Sequence, residues 1–256
     1  MCGIVAAAAQ REVSGILLEG LRRLEYRGYD SAGMALIDAG QALQLHKHAG
    51  KVKNLEDANA RHPILGHRGV AHTRWATHGE PTSANAHPHL SGERVALVHN
   101  GIIENHATLR NALKAEGVVF QSETDTEVIV HLIHSSLAQG ETLFDAVRLT
   151  VAKLEGAYAI AVVDTSHDDE VVVAREGSPL VLGIGIGEMF AGSDTLALRQ
   201  VTDTFVYLED GDLARLSAGG YQIFDKTGDS LERAETRLRD TDNQADRGEF
   251  EHYMLK

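Results

Sequence analysis

The chain has 256 residues, 43% hydrophobic and 24% charged, enough apolar content for a sizeable core in one large α/β domain or two small ones. A formal net charge of −13 argues against nucleic acid or an anionic membrane surface as partner, since both reward clustered Lys and Arg. The single cysteine excludes a disulfide within the chain and fits a reducing cytoplasm, and no apolar run reaches the length of a signal segment or a membrane span.

The opening run Cys2-Gly3-Ile4-Val5-Ala6-Ala7-Ala8-Ala9 reads as a buried strand. Val13, Ile16, Leu17, Leu21 and Leu24 recur at helical spacing, and Arg27-Gly28 closes that helix. The basic stretch from Leu21 to Arg27 is a solvated helix face. Strands are expected over Ala32 to Ile37, Gly69 to Trp75 and Arg94 to His99. One helix carries Leu109, Ala112 and Leu113 and stops at Gly117; the next carries Val128, Ile129, Leu132, Ile133 and Leu137. Thr142 is placed to cap a further helix, with Asp145 three residues on and Gly156 as its stop.

From Ala157 the texture changes to short Val- and Ile-rich runs between Gly, Asp and Ser punctuation: Ala157 to Val163, Val171 to Ala174, Leu180 to Ile184 and Phe205 to Leu208. A brief helical stretch is expected near Asp194 to Arg199. Asp225 to Lys256, charged and poor in large apolar residues, reads as a linker or tail. Strands and helices come in blocks, which predicts an α+β fold of antiparallel sheets with helices layered outside.

Four segments carry candidate chemistry. A lone cysteine is often only a small buried hydrophobe. Cys2, however, follows an initiator Met that small neighbours allow to be removed, which would expose a free α-amine. That amine has a reference pKa of about 7.7–8.0 and the thiol about 8.5, so the amine can take the thiol proton without a histidine. The second segment is His72-Thr73-Arg74-Trp75-Ala76-Thr77-His78-Gly79. Arg74 there offers a two-pronged grip on a carboxylate or, in the plainer reading, an ion pair at a strand end. Thr77 can supply a hydroxyl, and Gly79-Glu80-Pro81 suggests a loop able to close.

Third, Asn100-Gly101 follows an apolar strand. Such a pair is usually a turn, but its amide and backbone N–H are also donors suited to an oxyanion. Fourth, Thr124 and Glu127 fit a capping box, leaving Asp125 either as a first-turn charge or as a partner for a substrate ammonium. Arg74 and Asp125 together would read both ends of an α-amino acid. Two signals fail inspection. Gly183 to Gly187 lacks the third glycine of a dinucleotide fingerprint and reads as a glycine-rich strand or turn. The histidines at 72, 78, 87 and 89 lack zinc spacing, so no metal is expected.

Together, Met1-Cys2-Gly3-Ile4-Val5, LRRLEYRGYDSAG (Leu21 to Gly33), HTRWATHG (His72 to Gly79), NAHPH (Asn85 to His89), HNGIIEN (His99 to Asn105) and SETDTEVI (Ser122 to Ile129) closely resemble the N-terminal glutaminase domain of the glucosamine-6-phosphate synthase family. These are class II glutamine amidotransferases. The resemblance covers roughly residues 2–240 and implies an N-terminal-nucleophile hydrolase fold, a four-layer α/β/β/α sandwich of antiparallel sheets. By resemblance Cys2 attacks the glutamine side-chain amide with its own α-amine as base, and Asn100 and Gly101 form the oxyanion hole. Arg74, Thr77 and His78 bind glutamine, Asp125 holds its α-amine, Trp75 rides on a closing loop, and Arg27 supports the site.

The family's usual glycine after Cys-Gly-Ile-Val is Ala6 here, a methyl that must fit against a neighbouring strand. The family continues into sugar isomerase domains. Residues 1–240 are therefore expected to form the glutaminase domain and 241–256 a linker toward absent isomerase domains. The expected reaction is glutamine plus water giving glutamate and ammonia. It needs no cofactor, and the full-length enzyme is expected to be a homodimer. The alternative is a catalytically silent module that binds glutamine or docks on a partner.

Overall fold

The structure is a computed structural model that describes residues 2–76, 79–166 and 170–238. The strands of its first half are β1 (Gly3–Ala9), β2 (Ser31–Ile37), β3 (Leu43–Ala49), β4 (Arg68–Arg74), β5 (His89–Ser91) and β6 (Val95–Ile103). Five helices accompany them: α1 (Ser14–Leu24), α2 (Val52–Arg61), α3 (His106–Ala115), α4 (Glu127–Ala138) and α5 (Leu143–Val151). The second half contributes β7 (Gly156–Asp164), β8 (Glu170–Glu176), β9 (Val181–Ile184), β10 (Glu188–Gly192), β11 (Thr204–Tyr207), β12 (Leu213–Ser217), β13 (Gly220–Phe224), β14 (Ser230–Leu231) and β15 (Glu235–Arg237).

One sheet has the order β15-β11-β9-β10-β1-β4-β2-β3 and the other β14-β13-β12-β8-β7-β6-β5. Neighbouring strands run antiparallel throughout. Three buried clusters define the layers. Ile4, Ala6 and Ala8 of β1 meet Ala96, Val98, Ala161 and Val173 of the other sheet in the central core. The opposite face of β1, with Val5 and Ala7, packs on Leu17, Leu21 and Leu24 of α1 and Leu55 of α2. Val95, Leu97, Ile160 and Val162 pack outward on α4 and α5 through Val130, Ile133 and Val147. This is the expected four-layer α/β/β/α sandwich, held by apolar burial on both faces of both sheets. The Ala6 methyl fits, fully buried in the central core opposite Val70 and Ala191.

Most expected elements are present, including Thr142, whose hydroxyl oxygen accepts the Asp145 N–H at 3.1 Å. Several expectations are corrected. The α5 helix ends at Val151, and Gly156 opens β7 instead of stopping a helix. The stretch after Asp225 is not all tail, because Ser230–Leu231 and Glu235–Arg237 add edge strands to the two sheets. The expected linker 241–256 lies outside the described residues. Among the described residues no helix is long and apolar enough to cross a membrane.

Gly33 on β2 permits the close approach that seats the segment around His87 against the first sheet. A Cβ at this position would stand 2.2 Å from the His87 carbonyl oxygen and 2.8 Å from that of His46. Both are backbone atoms that cannot rotate away. Gly33→Ala should therefore lower stability by about 1–3 kcal/mol through overpacking. A urea unfolding midpoint unchanged from that of the parent chain would show that the backbones have room to separate.

Candidate active site

Side-chain alternation along three strands brings the chemistry-bearing residues together. On β1, Ile4, Ala6 and Ala8 face the central core, and Cys2 has the same parity one step beyond the strand. On β4, Val70 faces that core, so His72 and Arg74 share its side. On β6, Ala96 and Val98 do, and Asn100 follows. Thr73 pairs with Gly3 and His72 with Ile4, which sets these positions side by side at one end of the sandwich. There the apolar core gives way to a narrow cleft. Its walls are Cys2, Arg74, Trp75, Gly101 and Asp125, together with His87, His99, Thr124 and Thr126. The groove lined by Glu170, Arg215, Ser217 and Tyr221 holds no thiol.

Cys2 is held through backbone contacts. The Trp75 N–H donates to Sγ at 3.2 Å, and the thiol donates to the Trp75 carbonyl at 3.5 Å. The strand behind it is pinned where the Ile4 N–H donates to Ser193 Oγ and the Ser193 N–H to the Ile4 carbonyl, both at 3.1 Å. Burial pushes the thiol above its ordinary range, against the Trp75 hydrogen bond, which lowers it. The thiol is thus protonated at neutral pH and needs a base beside it to react.

Asn100 and Gly101 lie inside β6, opposite Ala159 and Tyr158, so the turn reading of this pair is overturned. Gly101 has φ 131°, and a Cβ there would fall 2.0 Å from the Ala157 carbonyl oxygen, so only glycine fits. Asn100 stands behind the cavity wall. Its Nδ2 donates to the Cys2 carbonyl at 3.2 Å, and His72 Nε2 meets its Oδ1 at 2.9 Å.

Arg74 is 4% exposed and donates to the Glu80 and Gly79 carbonyls, both at 3.2 Å, with Asp30 3.9 Å away. Its guanidinium therefore faces the cavity while also gripping the loop that follows it. Asp30 staples the loop's start: its carboxylate accepts the Ala76 N–H, and its backbone N–H donates to the Arg74 carbonyl at 2.7 Å. Asn85 ties the far end to Glu80 and Glu123. Thr77 and His78 lie outside the described residues. Trp75 is half exposed, its ring lying where a Cβ on Gly28 would have to sit. Arg27 is not among the cavity-lining residues; it pairs with Asp194 at 2.6 Å, next to a hydrogen bond from Tyr26 to the same carboxylate.

Asp125 is 4% exposed and accepts the Ile103 N–H at 2.8 Å, which directs its carboxyl to the cavity. The Thr124–Glu127 capping box does not form. Glu127 accepts instead from the backbone N–H groups of Gln121 and Ser122 and from Ser122 Oγ. Burial alone would raise this carboxyl, but bonds from His131, Ser122 and Gln121 bring it down to about 2. Arg110 clasps the same loop through the Ser122 and Thr124 carbonyls.

A layer of buried histidines was not anticipated as a unit. The His87 ring lies 4.2 Å from that of His72, tilted by 32°, and 4.8 Å edge-on from that of His89, centroid to centroid. His89 meets Thr124 Oγ1 at 2.9 Å, and His99 meets Thr126 Oγ1 at 2.8 Å. These contacts hold the two threonines that flank Asp125. Burial lowers all four imidazoles, His72 to about 3, so the layer is neutral. Among the described residues no group of His, Cys, Asp or Glu is arranged to hold a metal. The sequence signal for these positions was their place within HTRWATHG, NAHPH and HNGIIEN at matching strand parity.

Residues 72–200, half of the chain, match the family model described as a glutamine amidotransferase domain. The glutamine--fructose-6-phosphate aminotransferases (isomerizing) of Pseudomonas putida and Escherichia coli are each 54% identical to this chain over all 256 residues. The chain spans 42% of the length of each of these relatives. Among solved structures, the glutamine phosphoribosylpyrophosphate amidotransferase from B. subtilis, complexed with ADP and GMP, superposes with a TM-score of 0.76 at 28% identity. That match covers 88% of this chain and 49% of the other. A glutamine aminotransferase class-II domain protein from Silicibacter pomeroyi shares the fold at a TM-score of 0.60 and 18% identity, over 88% of this chain and 99% of its own.

Because Cys2 is the one cysteine, its titration can be read directly by alkylation. In the chain that retains Met1, a thiol raised above 9.0 exposes little thiolate at neutral pH and gains more as pH climbs past that value. The iodoacetamide rate should keep rising through pH 9.0. A plateau below it would show that burial does not hold the thiol protonated.

Proposed function

This chain belongs to the glutamine amidotransferase family, and from that premise we propose that it hydrolyses glutamine to glutamate and ammonia with Cys2 as nucleophile. One observation carries the reading: the chain's one thiol opens onto a cavity whose walls also hold a guanidinium, Arg74, and a carboxylate, Asp125. An α-amino acid presents the complementary pair of charges. Arg74 takes its carboxylate by charge-assisted hydrogen bonds, Asp125 its ammonium, and the side-chain amide extends toward Sγ.

Removal of Met1 frees the α-amine of Cys2, which at a reference pKa of about 7.7–8.0 accepts the thiol proton. Sγ then adds to the amide carbon. The Asn100 Nδ2 and the Gly101 N–H stabilise the oxyanion, and the amine returns the proton to the departing ammonia. Water releases glutamate from the thioester by the same steps. Thr77, His78 and Trp75 complete the glutamine pocket on the loop, and Arg27 supports the site from outside. The reaction calls for no metal or organic cofactor.

The relatives named above support a destination for the ammonia. It is delivered to fructose 6-phosphate by sugar isomerase domains joined through residues 241–256, so residues 1–240 supply the nitrogen for glucosamine 6-phosphate within a homodimeric, cytoplasmic enzyme.

Intact mass of the purified chain, measured with glutamate release on the same sample, tests the hydrolysis. A chain lacking Met1 should release glutamate, and Cys2→Ala should not. A Met-free chain that neither turns over nor takes up a diazo-ketone glutamine analogue at Cys2 would leave only a silent binding module. Arg74→Ala should raise the glutamine KM by a factor corresponding to about 2–4 kcal/mol, the cost of a lost charge-assisted contact. An unchanged KM would remove Arg74 from the carboxylate.

A further inference from the structure

We propose that His72 is a positioning residue that fixes the Asn100 amide with its NH₂ group turned toward Cys2. The proposal rests on the glutaminase reading and deepens it, because it assigns a task to a residue that touches neither thiol nor cavity. Asn100 lies between two partners, with Nδ2 3.2 Å from the Cys2 carbonyl oxygen and Oδ1 2.9 Å from His72 Nε2. A carbonyl oxygen only accepts, so the amide must present its NH₂ to Cys2. Its other end is then an acceptor, and His72 must carry its proton on Nε2.

His72 is neutral because burial lowers it to about 3, so it has a single N–H to give. That proton therefore selects one orientation of the amide. Rotated by half a turn, Asn100 would point an oxygen at the Cys2 carbonyl and at the developing oxyanion, turning a donor into a repulsive acceptor. The imidazole itself cannot drift. It is fully buried on β4, in register with Ile4 on one side and Gly33 on the other, and its ring packs against that of His87 at 4.2 Å.

Two substitutions separate this task from simple filling of the core. The side-chain nitrogen of Gln reaches the place of Nε2, whereas that of Asn reaches only the place of Nδ1. His72→Asn should lower kcat by roughly 10²-fold, comparable to losing an oxyanion donor, while leaving the glutamine KM within about threefold. His72→Gln should stay within about tenfold of the parent. Because His72 acts through Asn100, adding His72→Asn to Asn100→Ala should cost less than about threefold more. Equal losses in the Asn and Gln variants, or losses that multiply with Asn100→Ala, would overturn the proposal.

A second readout needs no turnover. The ¹⁵N spectrum of the imidazoles, assigned by the signal missing in His72→Asn, should show His72 as the Nε2–H tautomer, unchanged from about pH 5 to 8. The Nδ1–H tautomer would overturn the proposal even in an active enzyme. The expected tautomer in a Met-free chain that releases no glutamate would instead overturn the glutaminase reading and leave the amide geometry standing.

Discussion

A strand covered on both faces has to sort its side chains between two cores, and β1 lies under that constraint for its whole length. Ile4, Ala6 and Ala8 go to the space between the sheets; Val5, Ala7 and Ala9 go to the helices. A slip of one residue would exchange the two sets, so register is fixed by burial on both sides. Cys2 inherits its direction from this sorting. The same alternation on β4 and β6 sends His72, Arg74 and Asn100 inward from opposite sheets, and the site forms where three inner faces meet beyond the last apolar layer. Small alanines in the central core let the sheets approach closely enough for Asn100 of one to reach the Cys2 carbonyl of the other.

That meeting place is polar and buried, which costs free energy unless each group finds a partner. The solution is a layer of neutral imidazoles. Burial keeps His72, His87, His89 and His99 uncharged, and one ring nitrogen of each contacts Asn100, the His99 N–H, Thr124 or Thr126. His72 Nδ1 and His99 Nε2 are buried without a hydrogen-bond partner among the described residues. Neutrality has a consequence for the cavity. With the histidines uncharged, the full charges at its wall belong to Arg74 and Asp125. On the proposed reading those two recognise the ends of the amino acid, and a protonated histidine layer would blur the pattern by drawing the carboxylate inward.

Much of the architecture was legible because it is written in periodicity. The buried run of β1, the amphipathic α1 and α4, the Thr142 cap and the strand-rich second half all follow from local pattern. What escaped has weak local pattern. On β3 only Leu43 and Leu45 pack against the core, and the rest of this edge strand is polar apart from the exposed Ala49. On α2 the buried face is Val52, Leu55 and Ala58, too little to mark a helix among charged neighbours. Asn100-Gly101 looked like a turn because local propensity favours one. Pairing with β7 carries the strand through it, and the tolerance of Gly101 for its backbone angle makes that possible. The partners that orient the site, His72 with Asn100 and Asp30 with Ala76, are 28 and 46 residues apart and leave no periodic trace. Thr124 and Glu127 have the right spacing for a capping box. The nearer backbone N–H groups of Gln121 and Ser122 took the Glu127 carboxylate instead.

The same contacts join the loop after β4 to the nucleophile. Sγ accepts from the Trp75 N–H, the next N–H is held by Asp30, and Arg74 reaches past both to the Gly79 and Glu80 carbonyls. Any shift of this segment therefore alters the hydrogen bonding of the thiol and the position of the guanidinium at once. On the proposed reading, the side chain that takes the substrate carboxylate is also the one that grips the loop, which ties the pose of the substrate to the position of this segment. The loop also brings the Trp75 N–H to Sγ, and this bond lowers the thiol against the effect of burial. Burial still leaves the thiol raised, so on the proposed reading the α-amine of Cys2 has to take the proton.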